Sequence, residues 1–354
     1  MNKQFNLVHD LAEEIWNPEV RGELDDNLRE GYKKIGEFET VDLVSSLPRI
    51  NRPNCSMMQI KTAFLLSYDY EMLKRALPLV YAHSDAIVLS TDINRRTYAG
   101  NYYEIPDHFF QWVKDLDGDN KIKIYEADFY IPNVRPMISE TRQRRMTAAF
   151  MGTGGWFVQI DADEYFVNFE GFVRQLRLFE RGLGPNDKVT VLANWITLYK
   201  YITGKGYLIA LCSEGYENFW PATNNPEYTT GRICAGNTNL FADNFAIHES
   251  LSRGREALAF KLKNWSHSAD FDTAKYLERY DLINEHNFSE FRNLHFQRPK
   301  VWDRLAFIPG NSIDDLTTYV RQSLESRIRP WQTGLRNVRG GGRLLSLMGY
   351  LRWR

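Results

Sequence analysis

Two aspartates that follow a short apolar run are the residues whose type and spacing suggest chemistry most directly. The run at 156–160 reads WFVQI, which is typical of an interior strand in a parallel sheet. Asp161 and Asp163 come directly after it. In an extended chain, side chains at positions i and i+2 point to the same side. The sequence therefore predicts two carboxylates on one side, at the carboxyl end of a central strand.

A pair of carboxylates in this position suggests a metal site. Two unpaired carboxylates close together repel each other unless a cation lies beside them. Hard divalent cations accept such oxygens, and Mn²⁺ or Mg²⁺ usually completes its coordination shell with substrate phosphates. Asp161 and Asp163 are thus candidate ligands of Mn²⁺ or Mg²⁺ in a site that handles a diphosphate. A polar loop after a strand shows the same Asp-x-Asp spacing, and the pattern alone does not separate the two.

The composition bounds the classes of protein to consider. A chain of 354 residues with 43% apolar residues has ample core for one large α/β domain or two smaller ones. The formal net charge of −1 argues against nucleic-acid binding. The three cysteines show no CxxC spacing, so neither a disulfide framework nor a zinc knuckle is predicted. No apolar run reaches the roughly 18 residues of a membrane span, and we expect a soluble cytoplasmic protein.

A strand–helix–strand unit precedes the two aspartates. An apolar run at 58–67 is followed by an amphipathic helix at 70–82 and a second apolar run at 86–90, which predicts the βαβ unit of a parallel sheet. Asp69 and Asp92 follow the two strands, at the edge where open α/β sheets bind ligands. Either aspartate there can accept a hydrogen bond from a nucleotide base or a ribose hydroxyl. Helix capping and turn formation remain alternative explanations for both.

An acidic stretch at 115–126 is similar to an EF-hand calcium loop. It has acids at positions one, three and five and a glutamate at position twelve, as such loops do. Asn120 stands where the loop normally has glycine, and the residues after it alternate like a strand. We interpret the stretch as an acidic loop that leads into a strand. A calcium-binding interaction module built on it remains the non-enzymatic alternative.

Helices and a further strand flank the acidic pair. A helix at 138–151, capped by Ser139, carries Arg142, and an arginine can contact a phosphate bidentately. A second helix is predicted at 170–181 and a strand at 188–195.

The region after these elements has a different character. The stretch at 200–231 is rich in Gly, Asn, Tyr and Pro, which predicts a long loop or small hairpins of the kind that cover a substrate. Further strand structure is predicted within 232–245 and a helix at 273–285.

The order of these motifs resembles that of the bacterial family 2-like glycosyltransferases with the GT-A fold. IDADE at 160–164, IHE at 247–249 and a Ser-His pair before the last helix follow the βαβ start in that order, over residues 58–290. The resemblance implies an α/β fold with a GT-A type, Rossmann-like, mostly parallel sheet flanked by helices. It implies metal-dependent transfer of a sugar, with inversion, from a nucleotide-diphosphate donor to a hydroxyl of a saccharide or lipid-linked acceptor. A UDP-sugar is the favoured donor, and surface polysaccharide or glycoconjugate synthesis is the expected setting.

The same resemblance implies roles for individual residues. Asp92 contacts the nucleotide base or ribose, and Asp161 contacts the ribose or donor sugar and the metal. Asp163 is the main metal ligand and bridges to the diphosphate through Mn²⁺ or Mg²⁺. His248 and His267 are candidates for a further metal ligand or a phosphate contact.

A general base is needed because the acceptor hydroxyl loses a proton as it attacks the anomeric carbon. A carboxylate within hydrogen-bond reach is the expected group. Glu249, which with His248 lies beside an apolar strand end, is our first candidate, and Glu164 is our second.

A nucleotidyltransferase acting on sugar phosphates is the alternative enzyme. It also holds Mg²⁺ with carboxylates on an α/β sheet. Such enzymes usually carry a Gly-rich, basic loop after the first strand, whereas residues 67–70 read SYDY here. The sequence therefore favours the glycosyltransferase.

The chain divides into a helical N-terminal extension at 1–56, a catalytic domain at 57–290 and a helical, basic C-terminal extension at 291–354. Between 327 and 354 there are seven arginines and no acid, among leucines and aromatic residues. Such a segment can lie on an anionic membrane surface. It can equally dock back on the domain or form a subunit interface, so peripheral contact with the inner face of a membrane and homo-oligomer formation both stay open.

Overall fold

The computed structural model describes residues 57–213, 215–325 and 330–337. These residues form a mixed α/β structure in which helices flank one ten-stranded sheet. The strands are β1 (Ile60–Leu65), β2 (Ala86–Asp92), β3 (Ile122–Ala127), β4 (Trp156–Asp161), β5 (Glu164–Phe166), β6 (Val189–Ile202), β7 (Gly206–Leu211), β8 (Glu217–Thr223), β9 (Thr238–His248) and β10 (Arg304–Pro309). The helices are α1 (Tyr70–Tyr81), α2 (Asp107–Leu116), α3 (Pro136–Phe150), α4 (Phe169–Glu180), α5 (Arg255–Asn264), α6 (Thr273–Leu282), α7 (Ile313–Ser323) and α8 (Pro330–Arg336).

One half of the sheet is parallel and has the order β3-β2-β1-β4. This order matches the first half of a doubly wound α/β sheet, and the predicted βαβ unit is confirmed. The register pairs Leu65 of β1 with Asp161 of β4 and Asp92 of β2 with Ala127 of β3. The carboxyl ends of β1, β2 and β4 therefore meet at one edge, and this edge carries both Asp92 and Asp161.

The other half of the sheet is mostly antiparallel and was only partly predicted. β8 lies between β4 and β6 and is antiparallel to both. β7 pairs with the end of β6, and β9 runs parallel to β6 on its other edge. β6 and β7 form a hairpin, which was one of the two alternatives predicted for 200–231, but β7 and β8 belong to the sheet and not to a loop over the substrate. Phe219 and Ala222 of β8 are buried, but Pro221 and the polar neighbours hide the strand pattern in the sequence.

The chain beyond 290 continues the same sheet instead of forming a purely helical extension. β10 pairs with β7 in antiparallel register, and α7 packs Leu316 and Val320 into the main apolar core. Close approach of β10 requires Gly206, which has φ +156°, because a Cβ there would collide with the carbonyl oxygen of Ile308. The extension at 1–56 and most of 327–354 lie outside the described residues, so the predictions made for them stay predictions.

The acidic stretch at 115–126 does not form a calcium loop. α2 ends at Leu116 and β3 begins at Ile122, so the twelve residues are divided between a helix, a turn and a strand. The carboxylate of Asp117 accepts hydrogen bonds from the backbone of this turn, and Glu126 forms an ion pair with Arg95. The physical role of these acids is turn formation and ion pairing, which removes the geometric basis of the calcium-binding alternative.

Helix α3 begins two residues earlier than predicted. Pro136 occupies its first turn, where the missing N–H of proline costs nothing. Ser139 lies inside the helix instead of capping it, and its hydroxyl accepts a hydrogen bond from the backbone N–H of Ile131. In the described part of the chain, no helix has the length and apolarity to cross a membrane.

Candidate active site

A cavity of about 480 Å³ opens at the carboxyl ends of the parallel strands. Leu65, Asp92 and Asp161 line it from the ends of β1, β2 and β4, and residues of β9 and α5 close the other side. This is the edge where open α/β sheets bind ligands. The cavity wall alternates aromatic rings with charged groups, a lining suited to a ligand that has both ring and phosphate parts.

The predicted site residues separate into two groups by their position relative to the cavity. Six of them line it, namely Asp69, Asp92, Asp161, Asp163, His248 and His267. Three do not line it, namely Arg142, Glu164 and Glu249.

Asp161 ends β4 and is held between two arginines. Its Oδ1 accepts from Arg144 Nη2 at 2.8 Å and its Oδ2 from Arg232 Nη2 at 3.2 Å. Burial alone would raise the pKa of Asp161, but Arg144 and then Arg232 outweigh it, so the pKa lies below its ordinary value. The side chain keeps 32% exposure, so Asp161 is an ionised carboxylate that reaches the cavity.

Asp163 is buried and is paired even more completely. Its Oδ2 accepts from Lys261 Nζ at 2.6 Å and from Arg253 Nη2. Arg253 in turn donates through Nη1 to Asp69 at 2.6 Å. Burial would raise the pKa of Asp163, but the neighbouring Lys261, His248 and Arg253 hold it well below the usual range. Asp163 therefore remains ionised as the centre of a buried ion-pair network.

Glu164, the second predicted base, is buried and does not line the cavity. It forms a two-point ion pair with Arg232, in which Nη1 donates to Oε2 at 2.7 Å, and it accepts from the backbone N–H of Asp161. Burial raises its pKa, and Arg232 opposes part of that rise. Because the side chain is fully buried and committed to Arg232, it stabilises the acidic turn and has no path to a hydroxyl in the cavity.

Glu249, the first predicted base, faces away from the cavity. It follows His248 at the end of β9, and neighbouring residues of an extended chain point to opposite sides. His248 lines the cavity, whereas Glu249 accepts from Tyr165 Oη at 2.7 Å. The sequence identified the correct strand end and placed both residues at the site, but only His248 lines the cavity.

On helix α3, Arg144 occupies the position that the sequence assigned to Arg142. Arg144 is 1% exposed and is fixed by Glu140, one helical turn earlier, at 2.8 Å. The i, i+4 spacing of Glu140 and Arg144 was the available signal. This signal is weak, because an arginine-rich helix usually presents such pairs to solvent.

Asp92 lines the cavity, but its carboxylate accepts hydrogen bonds from the backbone. Oδ1 accepts from the N–H groups of Asn94 and Arg96, and Oδ2 accepts from those of Phe129 and Tyr130. The carboxylate therefore ties two loops together at the end of β2. Turn formation was the alternative to nucleotide contact that the sequence left open for Asp92. The two loops that Asp92 joins form the part of the cavity wall on which a nucleotide base would lie.

His248 is a neutral imidazole between Trp195 and Asp163. Its ring lies 4.5 Å from that of Trp195, and Nε2 lies 3.9 Å from Asp163 Oδ2. Burial lowers the pKa of His248 to about 3, although Asp163 opposes the shift.

His267 forms a dyad with Asp270 that the sequence did not identify. His267 Nδ1 and Asp270 Oδ2 are 2.8 Å apart, and Arg135 Nη2 donates to the other oxygen of Asp270 at 2.7 Å. Gln297 adds a further hydrogen bond to Oδ2. All four residues line the cavity. The H-x-x-D spacing is too common to have indicated the dyad, but its geometry resembles that of an oriented general base.

The carboxylates predicted to bind Mn²⁺ or Mg²⁺ do not fit such an ion as they are placed. Both oxygens of Asp161 and Oδ2 of Asp163 accept hydrogen bonds from arginine or lysine. A divalent ion needs these lone pairs, and it would have to displace cations that are themselves buried. The described residues contain no group of three or more His, Cys, Asp or Glu side chains that could hold a metal ion. His267, a further predicted ligand, is paired with Asp270 instead.

Comparisons with known proteins add little to this geometry. No protein-family model matches the chain, and no curated protein matches it. Among solved structures, the chain is similar to a mannosyltransferase from Pyrobaculum calidifontis in complex with GDP-Man and Mn²⁺. That match has 7% sequence identity and a TM-score of 0.35, over 97% of this chain and 92% of the other. A similarity this distant assigns neither fold nor function. The description of the site therefore depends only on the contacts within this chain.

Proposed function

We propose that the protein is a glycosyltransferase that moves a sugar from a nucleotide-diphosphate donor to a hydroxyl of a saccharide or lipid-linked acceptor. The observation that carries the proposal is the cavity at the carboxyl ends of β1, β2 and β4, with the ionised Asp161 in its wall. Nucleotides bind at this edge in doubly wound sheets. The resemblance of the IDADE and IHE motifs to family 2-like enzymes supports inversion at the anomeric carbon.

The nucleotide end of the cavity lies beside β2 in this proposal. Asp92 fixes the backbone of the loops there, and the rings of Tyr98 and Tyr130 line the same part of the cavity. Aromatic rings with a polar edge can stack on a base and leave its hydrogen-bonding edge free. We keep a UDP-sugar as the first donor to test, with GDP-, dTDP- and CMP-sugars as alternatives.

The general base in this proposal is His267, which replaces Glu249 and Glu164. Its Nδ1 is committed to Asp270, so Nε2 is the nitrogen that can accept a proton in the cavity. As the acceptor oxygen bonds to the anomeric carbon, its proton passes to Nε2 and the bond from that carbon to the diphosphate breaks. The buried Asp270 keeps the ring oriented and stabilises the imidazolium that forms.

The nucleotidyltransferase alternative finds no support at the start of the site. The loop after β1 contains Asp69, which is bound by Arg253, where such an enzyme would present a basic, Gly-rich loop to the triphosphate. Sugar transfer needs no such loop, because the leaving group is already a diphosphate.

A panel of nucleotide sugars tests the proposal directly. Thermal unfolding would be followed with UDP-, GDP-, dTDP- and CMP-sugars, each with EDTA and with Mn²⁺, followed by assays of nucleotide release with saccharide acceptors. At millimolar ligand we expect one nucleotide to raise the unfolding temperature by several degrees, because binding stabilises the folded state by mass action. A panel without any shift and without nucleotide release would contradict the proposal.

Cytoplasmic location and contact with an anionic membrane through 327–354 remain proposals, as does homo-oligomer formation. The segment lies mostly outside the described residues and is predicted only from its seven arginines. Co-sedimentation with anionic liposomes, for the full chain and for a chain truncated after residue 339, tests the membrane contact. Equal sedimentation of the full and the truncated chain would contradict the membrane contact.

A further inference from the structure

We infer that this site binds the donor's diphosphate without a divalent metal, through lysine and arginine side chains built around the acidic turn at 161–164. The inference rests on the proposed function, since it presumes a nucleoside diphosphate as ligand. The carboxylates that were expected to bind a metal ion already form ion pairs with arginine and lysine side chains.

Four cations reach the acidic turn from four separate parts of the fold. Arg144 comes from α3, Arg232 from the segment between β8 and β9, Arg253 from the segment before α5, and Lys261 from α5 itself. Their side chains are between 2% and 7% exposed. Each one contacts Asp161, Asp163 or Glu164, and the carboxylates are therefore compensated by the protein.

These cations are fixed by further contacts and are not side chains that swing in from solvent. Arg144 is held by Glu140 as well as by Asp161. Arg253 is held by Asp69 and by the backbone oxygens of Glu249 and Ser250.

The remaining two cations are anchored in the same way. Arg232 donates to the backbone oxygen of Gln159, and its guanidinium lies 5.3 Å from the ring of Trp195. Lys261 Nζ lies 5.6 Å from the ring of Trp265. A metal ion entering this turn would leave buried guanidinium groups without their partners, which is unfavourable.

The charge along the cavity wall is nearly balanced. Among the described residues that line it, seven are acids, namely Asp69, Asp92, Glu140, Asp161, Asp163, Glu217 and Asp270. Six are basic, namely Arg96, Arg135, Arg144, Arg232, Lys261 and Arg298. The carboxylate of Asp92 accepts hydrogen bonds from four backbone N–H groups. A binding site for a free divalent cation normally has a surplus of unpaired carboxylates, and this wall has none.

Lys261 and Arg96 of the wall have donors left for an anion. Lys261 carries three N–H donors, and its one described hydrogen bond goes to Asp163. Arg96 forms no ion pair with any described residue; its guanidinium lies 5.2 Å from the Tyr130 ring and its Nε has no hydrogen-bond partner. A diphosphate between them would gain charge-assisted hydrogen bonds, and Lys261 would stand where the metal of the expected mechanism stands.

Calorimetric titration with UDP, GDP and dTDP tests the inference on the full chain. Each titration would be run with EDTA and then with Mn²⁺. We expect at least one nucleotide to bind with the same affinity in both buffers. Lys261→Met should weaken that affinity about tenfold or more, because a hydrogen bond to a charged group is lost. Lys263→Met is the matched control, since Lys263 is an exposed lysine on the same helix, and it should bind like the wild type.

Asp163→Asn separates the two explanations by the sign of its effect. If Asp163 binds a metal, the variant loses nucleotide affinity in Mn²⁺ buffer. If Lys261 and Arg96 bind the phosphates, removing the carboxylate that competes for Lys261 leaves nucleotide affinity equal to that of the wild type or tighter. Far-UV circular dichroism would establish that the variant is folded, and the wild-type comparison in EDTA decides the question if it is not.

The possible results distinguish this inference from the proposed function. Binding that requires Mn²⁺ overturns the inference and leaves the glycosyltransferase proposal standing. No binding of any nucleotide in either buffer overturns the proposed function, and the inference with it.

Discussion

Lys261 Nζ lies 2.6 Å from Asp163 Oδ2, and both side chains are buried although 98 residues separate them in the chain. The contact joins helix α5 to the turn after the central strand β4. Arg253 extends it to Asp69 at the end of the loop after β1. One buried carboxylate therefore connects three segments that meet at the cavity.

Asp163→Asn should lower the free energy of unfolding by about 3–5 kcal/mol, because removing one partner of a buried ion pair leaves the other charge uncompensated. Asp115→Asn is a matched control, since Asp115 is exposed on α2 and its loss should cost less than about 0.5 kcal/mol. Urea unfolding at pH 7 measures both. Equal stability of the two variants would show that the network around Asp163 contributes nothing.

The same substitution should flatten the loss of stability in acid. The pKa of Asp163 is depressed in the folded protein, so the unfolded chain takes up the proton first and stability falls as the pH drops below about 3.9, the ordinary value. Asp163→Asn removes this group from the titration. Urea midpoints between pH 5 and pH 3 should therefore fall less steeply in the variant than in the wild type.

His295 should make the protein less stable in mild acid. It is buried, its Nδ1 accepts from the backbone N–H groups of Gln297 and Arg298, and burial followed by the nearby Arg298 holds its pKa well below its ordinary value. The unfolded chain binds a proton below about pH 6.5 and the folded protein does not, so this one histidine costs about 2 kcal/mol at pH 5.

His295→Asn keeps an acceptor near Nδ1 and should remove that part of the pH dependence. His83→Asn, at an exposed histidine, should leave the dependence as it is in the wild type. Denaturant unfolding between pH 8 and pH 5 measures the slopes. A wild-type slope that persists in His295→Asn would show that other groups cause it.

His267→Gln should lower kcat by roughly 10²–10⁴, the range of a lost general base, with little change in KM for the donor. Asp270→Asn should also lower kcat, because Asp270 orients the His267 ring through their 2.8 Å contact. Initial rates from pH 5 to pH 9 measure both effects. A comparable loss in Glu217→Gln or Glu249→Gln, with His267→Gln active, would reassign the base.

Gly206→Ala should separate β10 from β7. A Cβ at Gly206 meets the backbone of Ile308 and Pro309, and such overpacking costs about 1–3 kcal/mol. Gly118→Ala is the control, because a Cβ there meets nothing within 4 Å. Denaturant unfolding measures the cost, and hydrogen exchange of the β10 amides reports the local opening. Unchanged exchange in Gly206→Ala would show that the strand pairing tolerates the methyl group.

Local sequence patterns determined the parallel half of the fold. The buried runs that became β1, β2 and β4 and the stripe of apolar residues on α1 are continuous in sequence. Because polar residues that follow parallel strands must meet at one edge of the sheet, the sequence also placed Asp92, Asp161 and Asp163 at the cavity. The position of His248 followed from the same argument.

Only the tertiary structure decided what those residues contact. Strands β8 and β10 pair with strands about 60 to 100 residues away in the chain. No local periodicity of apolar residues predicts this pairing. The sequence showed two carboxylates, but their charge is balanced by Arg232, Arg253 and Lys261, which are distant along the chain. The electrostatic state of an acidic motif is a sum over neighbours in space, so a sequence can predict the presence of carboxylates without predicting whether they are free to bind a cation.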